Sequence, residues 1–251
     1  MISSSAEDSF NRKLLNVSVS DHAKIAKLIT LIENNEFNVA SFVLTQNMVN
    51  KSCIAIGITG GAGVGKSTFI DKFILQALIE KKSVAVIAID PTSKITNGTL
   101  LGDRIRFNTD YPSKGVYIRS LASSNSPIGI PARLGDIIAF LKILGFDIIL
   151  IETVGIGQND IEINKYVEKI ITIPSNDSDD WVQQFKFGAN EISDLYFINK
   201  TDKVNSTTTK TAIEEYLSIK YPNSIDAPRV LEGSALQNIG VKTAYDKIMG
   251  K

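Results

Sequence analysis

Short apolar runs recur along the chain, and they alternate with longer segments in which apolar residues return every three or four positions. The short runs predict buried β-strands, and the periodic segments predict amphipathic helices. The predicted strands cover residues 53–58, 84–89, 116–118, 148–151, 169–173, 195–198 and 229–231. This alternation predicts an α/β fold with a doubly wound, mainly parallel sheet, and such sheets bind ligands at the carboxyl ends of their strands.

Helical periodicity begins before the first strand. Two helices are predicted there, one starting at residue 21 and one over residues 37–48, and a third, over residues 132–144, is entered by Pro131 and closed by Gly145. We therefore assign residues 1–50 to an N-terminal helical extension. Residues 51–251, which contain every predicted strand, are expected to form a single α/β domain.

A glycine-rich segment joins the strand at 53–58 to a predicted helix at 68–80. Gly60, Gly65, Lys66 and Ser67 fill the phosphate-loop pattern of two spaced glycines followed by Lys-Ser. Backbone N–H groups of such a loop cradle phosphate at a helix N-terminus, the lysine reaches the terminal phosphates, and the serine hydroxyl ligates Mg²⁺. The predicted phosphate-binding residues are Gly60, Gly61, Ala62, Gly63, Val64, Gly65, Lys66, Ser67 and Thr68.

Acidic residues follow two further strands. Asp90 ends the strand at 84–89, and Glu152 ends the strand at 148–151 in a Glu-Thr-Val-Gly segment that closes with Gly155. Asp103 follows in a Leu-Gly-Asp-Arg segment. We predict a metal site made by Ser67, Asp90, Asp103 and Glu152, and a catalytic set of Lys66, Asp90, Asp103, Glu152 and Gly155. Each acid taken alone could instead cap a helix or lie in a solvated loop.

The strand at 195–198 runs into Asn199-Lys200-Thr201-Asp202, the Asn-Lys-x-Asp pattern of guanine recognition. The Asp202 carboxylate can accept hydrogen bonds from guanine N1–H and the exocyclic amine, which adenine does not offer, while the stem of Lys200 covers the base. Ser234, Ala235 and Leu236 follow the last predicted strand, where a backbone amide could meet guanine O6. GTP is therefore favoured over ATP.

Composition narrows the functional classes. The chain has 27 basic and 27 acidic residues, so its charge gives no reason to expect nucleic acid or a membrane surface as a partner. A single histidine, His22, argues against histidine-based metal sites and most nucleophile–histidine catalysis. The single cysteine, Cys53, excludes an internal disulfide and suggests the reducing cytoplasm. No segment has the pattern of a signal peptide or a membrane span.

Taken together, these segments resemble the MeaB/ArgK group of GTPases, in the SIMIBI class of P-loop GTPases. The resemblance covers residues 21 to 240. Its most specific segments are Leu101-Gly102-Asp103-Arg104 and Glu152-Thr153-Val154-Gly155-Ile156-Gly157-Gln158. The segment Ala88-Ile89-Asp90-Pro91-Thr92-Ser93 and the phosphate loop also match.

The resemblance implies a GTP-hydrolysing chaperone for an adenosylcobalamin-dependent acyl-CoA mutase such as methylmalonyl-CoA mutase. In this family, hydrolysis of GTP to GDP gates cofactor delivery and protects the mutase. By matching position, Asp90, Asp103 and Glu152 would be the metal-side residues that report nucleotide state, and Lys186 would belong to the third switch loop. A slow intrinsic rate, accelerated by a partner, is expected.

Two departures from the family pattern affect what carries over. Residues 174–181 replace the usual glycine-rich run of that switch, so its movement or its partner contact is expected to differ. The sequence given ends at Lys251 without a counterpart of the C-terminal arm through which family members dimerise, so homodimerisation is left open.

Two other classes remain as alternatives. A small-molecule kinase or ATPase, of the kind implied by the description of ArgK proteins as amino-acid transport kinases, would use the same phosphate loop with Arg104, Arg106, Arg119 and Arg133 as a lid. The guanine pattern argues against it. A metallochaperone GTPase for nickel enzymes is disfavoured by the single histidine and single cysteine.

Overall fold

A computed structural model describes residues 17–37, 39, 52–90, 111, 115–123, 129–153, 162–176, 193–203, 207–222, 224–225 and 227–251. Its helices are α1 (His22–Glu33), α2 (Lys66–Ile79), α3 (Leu134–Leu144), α4 (Thr207–Lys220) and α5 (Val241–Ile248), with a short 3-10 helix at Ile163–Lys165. Its strands are β1 (Ile54–Thr59), β2 (Val84–Asp90), β3 (Val116–Ala122), β4 (Ile148–Glu152), β5 (Lys169–Thr172), β6 (Leu195–Ile198) and β7 (Arg229–Glu232).

These strands form one seven-stranded sheet in the order β3-β2-β4-β1-β5-β6-β7. Every neighbouring pair is parallel. The predicted α/β fold with a parallel, doubly wound sheet is therefore confirmed. Strand β1, which leads into the phosphate loop, lies between β4 and β5 near the middle of the sheet.

Helices cover both faces of the sheet, and successive strand residues alternate between the two cores. Ile56 and Ile58 of β1 face a core shared with α2 and α5, whereas Ala55 faces a core shared with α1 and α3. Helix α4 packs on β6 through Ile213 and Leu217, on the same side as α1 and α3. Residues on both faces are buried, which explains why the strands read as continuous apolar runs.

Helix α1 belongs to the core on the α3 side of the sheet and does not form a separate layer. Its apolar face packs beside α3 and against the sheet, through Ile25, Leu28, Ile29 and Ile32. Phe37, just beyond the helix, meets Phe140 of α3 edge to face. The Arg119 guanidinium on β3 donates to Glu33 at 2.9 Å. Of the predicted helix over residues 37–48, all but residues 37 and 39 lie outside the described part of the chain.

Some element boundaries differ from those predicted. Strand β3 continues four residues beyond the predicted 116–118, and α3 starts two residues later than predicted. Cys53 lies just before β1 rather than within it; it is partly buried, and burial raises the pKa of its thiol to about 12. Among the described helices, none has both the length and the apolar character needed to cross a membrane.

Candidate nucleotide-binding site

The parallel sheet brings the ends of its strands to one edge, and most of the predicted site residues lie there. The phosphate loop follows β1, Asp90 ends β2, Glu152 ends β4, and Asn199 follows β6. Because all strands run the same way, these positions meet at the carboxyl edge, where open α/β sheets bind ligands.

The phosphate loop, residues 60–65, is shaped by close backbone contacts. Gly60 has φ +134°, and a Cβ added there would lie 2.1 Å from the carbonyl oxygen of Ile173. Gly65 has φ +101°, and a Cβ added there would lie 2.3 Å from Asn199 Nδ2. Glycine is therefore required at both positions, for its backbone freedom and because there is no room for a side chain.

Lys66 begins α2 and folds back over the loop. Its ammonium donates to the carbonyl oxygens of Gly60, at 2.7 Å, and Gly61, at 2.9 Å. The side chain is buried, and the neighbouring N–H groups at the start of α2 carry the positive end of the helix dipole. Ala62 and Gly63 are exposed, Val64 is buried, and Thr68 lies partly buried in the first turn of α2. The Lys66 ammonium and the positive end of α2 together suit a phosphate chain.

Two candidate metal ligands, Ser67 and Glu152, meet beside the start of α2, and a third, Asp90, ends the neighbouring strand. The Ser67 hydroxyl donates to Glu152 Oε1 at 2.8 Å. Glu152 pairs in register with Ile58 of β1 and Ala88 of β2, so Asp90 lies two residues further along the neighbouring strand. Glu152 is 7% exposed and Asp90 is 5% exposed. Hydroxyl and carboxylate oxygens are the ligands that Mg²⁺ prefers, so the residues fit this ion.

The loop after β6 is joined to the phosphate loop by the side chains of Asn199 and Lys200. Asn199 Nδ2 donates to the Val64 carbonyl oxygen at 2.9 Å, and Asn199 Oδ1 accepts from the Ala235 N–H at 2.8 Å. The Lys200 ammonium donates to the Gly63 carbonyl oxygen at 2.6 Å. Asp202 is exposed in the turn that follows. The structure thus joins the predicted phosphate loop, the Asn-Lys-x-Asp loop and the segment after β7.

The segment Ser234-Ala235-Leu236 is anchored by its own turn. Ser234 and Ile239 exchange backbone hydrogen bonds at 3.1 and 2.9 Å. Gly233 packs so closely against this turn that an added Cβ would lie 2.2 Å from the Ile239 carbonyl oxygen. Ser234 and Ala235 are buried, whereas Leu236 is 67% exposed. Through Ala235 the segment contacts residues 199–202, which we call the base loop. The Ser234 N–H donates to the Ile239 carbonyl and the Ala235 N–H to the Asn199 side chain, so the guanine contact of this segment stays a prediction.

Asp103, Gly155 and Lys186 lie outside the described residues, as does most of the segment at 174–181. In the part of the chain that is described, no group of three or more His, Cys, Asp or Glu side chains is arranged to hold a metal ion. The roles of Asp103 and Gly155 therefore stay predictions.

Two features of the site were not predicted from the sequence. Asn176, four residues beyond the end of β5, donates from Nδ2 to the Asn199 carbonyl oxygen at 2.6 Å. Beneath the phosphate loop, the hydroxyl groups of Thr59 and Thr172 lie 2.9 Å apart, joining the ends of β1 and β5. A polar residue within a few positions of the end of a buried strand was the available signal for Asn176; Asp90 and Glu152, at the strand ends themselves, gave the same signal more strongly.

Known proteins resemble the chain over most of its length. A protein of Pyrococcus abyssi named as a GTPase is 38% identical over 231 residues, covering 91% of this chain and 71% of the relative. The GTPase ArgK of Escherichia coli is 32% identical over 239 residues, covering 91% of this chain and 72% of ArgK. A fused isobutyryl-CoA mutase of Geobacillus kaustophilus is 34% identical over 205 residues, covering 78% of this chain and 19% of that protein.

Solved structures resemble the fold. An LAO/AO transport system kinase superposes with a TM-score of 0.69 at 26% identity, covering all of this chain and 76% of the other. HypB of Helicobacter pylori, solved with nickel, has a TM-score of 0.54 at 15% identity over 88% of this chain and 94% of HypB, and shares the fold alone. The family model described as methylmalonyl-CoA mutase-associated GTPase MeaB matches residues 25–250. The chain therefore belongs to the MeaB family of P-loop GTPases, which bind guanine nucleotides and hydrolyse GTP.

Proposed function

We propose that this GTPase is a chaperone for an adenosylcobalamin-dependent acyl-CoA mutase, and that GTP hydrolysis gates delivery of the intact cofactor and protects the mutase. One observation carries the choice of partner. A segment similar to 78% of this chain occurs within the same polypeptide as an isobutyryl-CoA mutase. The fusion of such a segment to a mutase supports a functional interaction between the two. Where they are separate chains, they would interact by forming a complex.

The phosphate chain of GTP would bind in the loop after β1. Lys66 is held above that loop by the carbonyl oxygens of Gly60 and Gly61. A buried ammonium gains stability when an anion is placed beside it, so the β- and γ-phosphates are its natural partners. The N–H groups at the start of α2 would add donors along the same phosphates.

Mg²⁺ would be held by Ser67, with Glu152 and Asp90 orienting its shell. When bound, this ion would neutralise charge on the β- and γ-phosphates. Glu152 already accepts a hydrogen bond from the Ser67 hydroxyl, which points a serine lone pair away from the carboxylate. Asp103 and Gly155 would complete this side of the site, as the sequence pattern predicts.

Guanine would be read by the loop after β6. The Asp202 carboxylate would accept from N1–H and from the exocyclic amine, and the stem of Lys200, drawn towards Gly63, would cover the base. The Leu236 N–H makes no hydrogen bond within the described residues and would donate to guanine O6. A site built on these bonds penalises adenine strongly, because the polar groups would lose their partners.

Hydrolysis would proceed by attack of water on the γ-phosphate, with Lys66 and the Gly155 N–H stabilising the developing charge. The loops after Asp90 and Gly155 would be ordered by the γ-phosphate and released when it leaves. That change would alter the surface offered to the mutase. A cytoplasmic location stays part of this proposal.

Phosphate release from GTP tests the chemistry. Lys66→Ala is expected to lower the rate at least about 100-fold, because it removes a charge that acts on the transition state. Lys24→Ala, an exposed position on α1, is the matched control and should keep the wild-type rate. Equal rates for Lys66→Ala and wild type would remove this mechanism. Hydrolysis that prefers ATP and consumes an acceptor would favour the kinase alternative.

Capture from the native cell extract tests the partner. The protein is immobilised with a non-hydrolysable GTP analogue or with GDP, and retained proteins are assayed for acyl-CoA mutase activity with added adenosylcobalamin. We expect a mutase to be retained in one nucleotide state in preference to the other. Absence of mutase activity from both columns, with active mutase in the unbound fraction, would contradict the proposal.

A further inference from the structure

We propose that Asn176 is a positioning residue that sets guanine specificity by fixing the backbone of the base-reading loop. The proposal rests on the guanine site proposed above. Asn176 follows β5 and reaches across the sheet edge to the loop after β6, where its Nδ2 donates to the Asn199 carbonyl oxygen at 2.6 Å. It is not expected to touch the nucleotide itself.

Asn199 is held from three directions. Its side-chain amide is fixed by Val64 of the phosphate loop and by the Ala235 N–H after β7. Its backbone carbonyl is fixed by Asn176, after β5. The side-chain bonds orient the amide, whereas the bond from Asn176 orients the peptide that leads directly into Lys200 and Asp202.

That peptide needs support because the next residue has an unfavourable backbone conformation. Lys200 has φ +63°, in the left-handed region that residues with a Cβ rarely adopt. The turn is closed by two further bonds, from Thr201 N–H to the Gly233 carbonyl and from Lys203 N–H to the Lys200 carbonyl. Without Asn176, the peptide before Lys200 can rotate towards an ordinary conformation, and Asp202 would move with it.

Asn176 is poorly explained as a residue kept for stability. Its Oδ1 atom is buried and accepts no hydrogen bond from the described residues. Within the described part of the chain, the bond to Asn199 is thus offset in part by the cost of burying this acceptor without a donor. Removing the side chain should therefore change the folded protein little, while loosening the loop that reads the base.

The connection that carries Asn176 also touches the other end of the site. The Ile173 carbonyl lies against Gly60 of the phosphate loop, in the contact that excludes a Cβ there. Residues 173–176 thus run from beneath the phosphate loop to the base loop. Since Asn176 acts only at the base end, its loss should weaken GDP and GTP binding by the same factor.

The test compares the affinities of the protein for GDP, ADP and IDP. IDP differs from GDP only in lacking the exocyclic amine of guanine. Wild type should prefer GDP by about 10- to 100-fold, because IDP forfeits a hydrogen bond to the Asp202 carboxylate. In Asn176→Ala the preference should fall to about threefold or less, and GDP affinity should fall about tenfold. The melting temperature without nucleotide should change by less than about 3 °C. Asn34→Ala, which loses an exposed asparagine hydrogen bond to Glu36, is the matched control.

The outcomes separate this inference from the site on which it rests. If wild type does not distinguish GDP from ADP, the proposed guanine site is wrong. If wild type distinguishes GDP from both ADP and IDP, and Asn176→Ala keeps the wild-type GDP-to-IDP ratio, the role of Asn176 is overturned. A fall in melting temperature that matches the loss of GDP affinity, with the ratio unchanged, would show a structural role only.

Discussion

Single atoms decide the geometry of the phosphate loop, as Gly65 illustrates. This residue is the N-cap of α2 and has φ +101°. The Asn199 amide occupies the space that a side chain would need. The same amide donates to Val64, so the absence of a Cβ at Gly65 allows the base loop to hold the phosphate loop in place.

Replacing Gly65 with alanine should therefore cost more than its backbone conformation alone. We expect Gly65→Ala to destabilise the protein by about 2–4 kcal/mol and to weaken GDP binding at least about tenfold, because Asn199 must move. Gly145→Ala is the control, since Gly145 has φ +92° and open space around it. It should cost about 1–2 kcal/mol in urea unfolding and leave GDP affinity, measured by titration, unchanged.

Glu152 gives a second prediction at this scale, which rests on the proposed Mg²⁺ site. Glu152→Gln keeps the shape and an acceptor for the Ser67 hydroxyl but removes the negative charge. We expect the Mg²⁺ concentration for half-maximal GTP hydrolysis to rise about tenfold or more, with GDP affinity in EDTA little changed. Glu33→Gln is the control: it weakens the ion pair between Glu33 of α1 and Arg119 of β3, outside the proposed Mg²⁺ site, and should behave as wild type. Unchanged Mg²⁺ dependence in Glu152→Gln would contradict the assignment.

At the scale of elements, the amino ends of three neighbouring strands are joined through Asp147. Its carboxylate accepts from the Ser83 N–H at 2.8 Å, from the Ser83 hydroxyl at 2.9 Å and from Lys82 at 3.2 Å. Its own carbonyl accepts from Ile54 N–H at the start of β1. Burial by itself raises the pKa of Asp147, but the hydrogen bonds from Ser83 and Lys82 outweigh it and lower the pKa.

This lowered pKa gives a pH-dependent prediction. A carboxylate whose pKa is lower in the folded than in the unfolded state stabilises the fold above its unfolded pKa, and the contribution is lost as the pH falls through the folded pKa. Asp147→Asn should cost about 1–3 kcal/mol in urea unfolding at pH 7, with the difference from wild type shrinking below about pH 4. Asp246→Asn, from an exposed pair with Lys242, should cost less than about 0.5 kcal/mol at either pH. A pH-independent difference for Asp147→Asn would refute this account.

The elements also show what the sequence could and could not predict. The positions of the phosphate loop, Asp90, Glu152 and the Asn199 loop were predictable because each lies at the end of a largely buried strand in a short local pattern. Strand β3 was predicted too short because it lies at the sheet edge, where Arg119 and Ser120 are partly exposed and interrupt the apolar run. The contact of Asn176 with Asn199 was not predictable, since it depends on β5 lying beside β6, and periodicity does not give strand order.

At the scale of the whole molecule, the helix before the nucleotide-binding segment shares a core with it. Ile29 of α1 is fully buried in the cluster that includes Ile138 and Phe140 of α3 and the inner residues of β2 and β4. The opposite core, under α2 and α5, supports the phosphate loop from the other face. Strands β1, β2 and β4 contribute to both cores. A loss of packing in either core should therefore also destabilise the sheet edge that forms the site.

This shared core predicts that α1 and the nucleotide site unfold together. Ile29→Ala removes buried atoms and leaves a cavity in this core. It should lower the free energy of unfolding by about 2–5 kcal/mol and the melting temperature by about 5–15 °C. Melting followed by far-ultraviolet circular dichroism and melting followed by release of fluorescent GDP should give one coincident transition in wild type and variant alike. Lys27→Ala, on the exposed face of α1, should leave both curves in place. If circular dichroism showed an early loss of helix while GDP stayed bound, α1 would unfold independently. The two cores would then not be coupled through the sheet, and the prediction would be wrong.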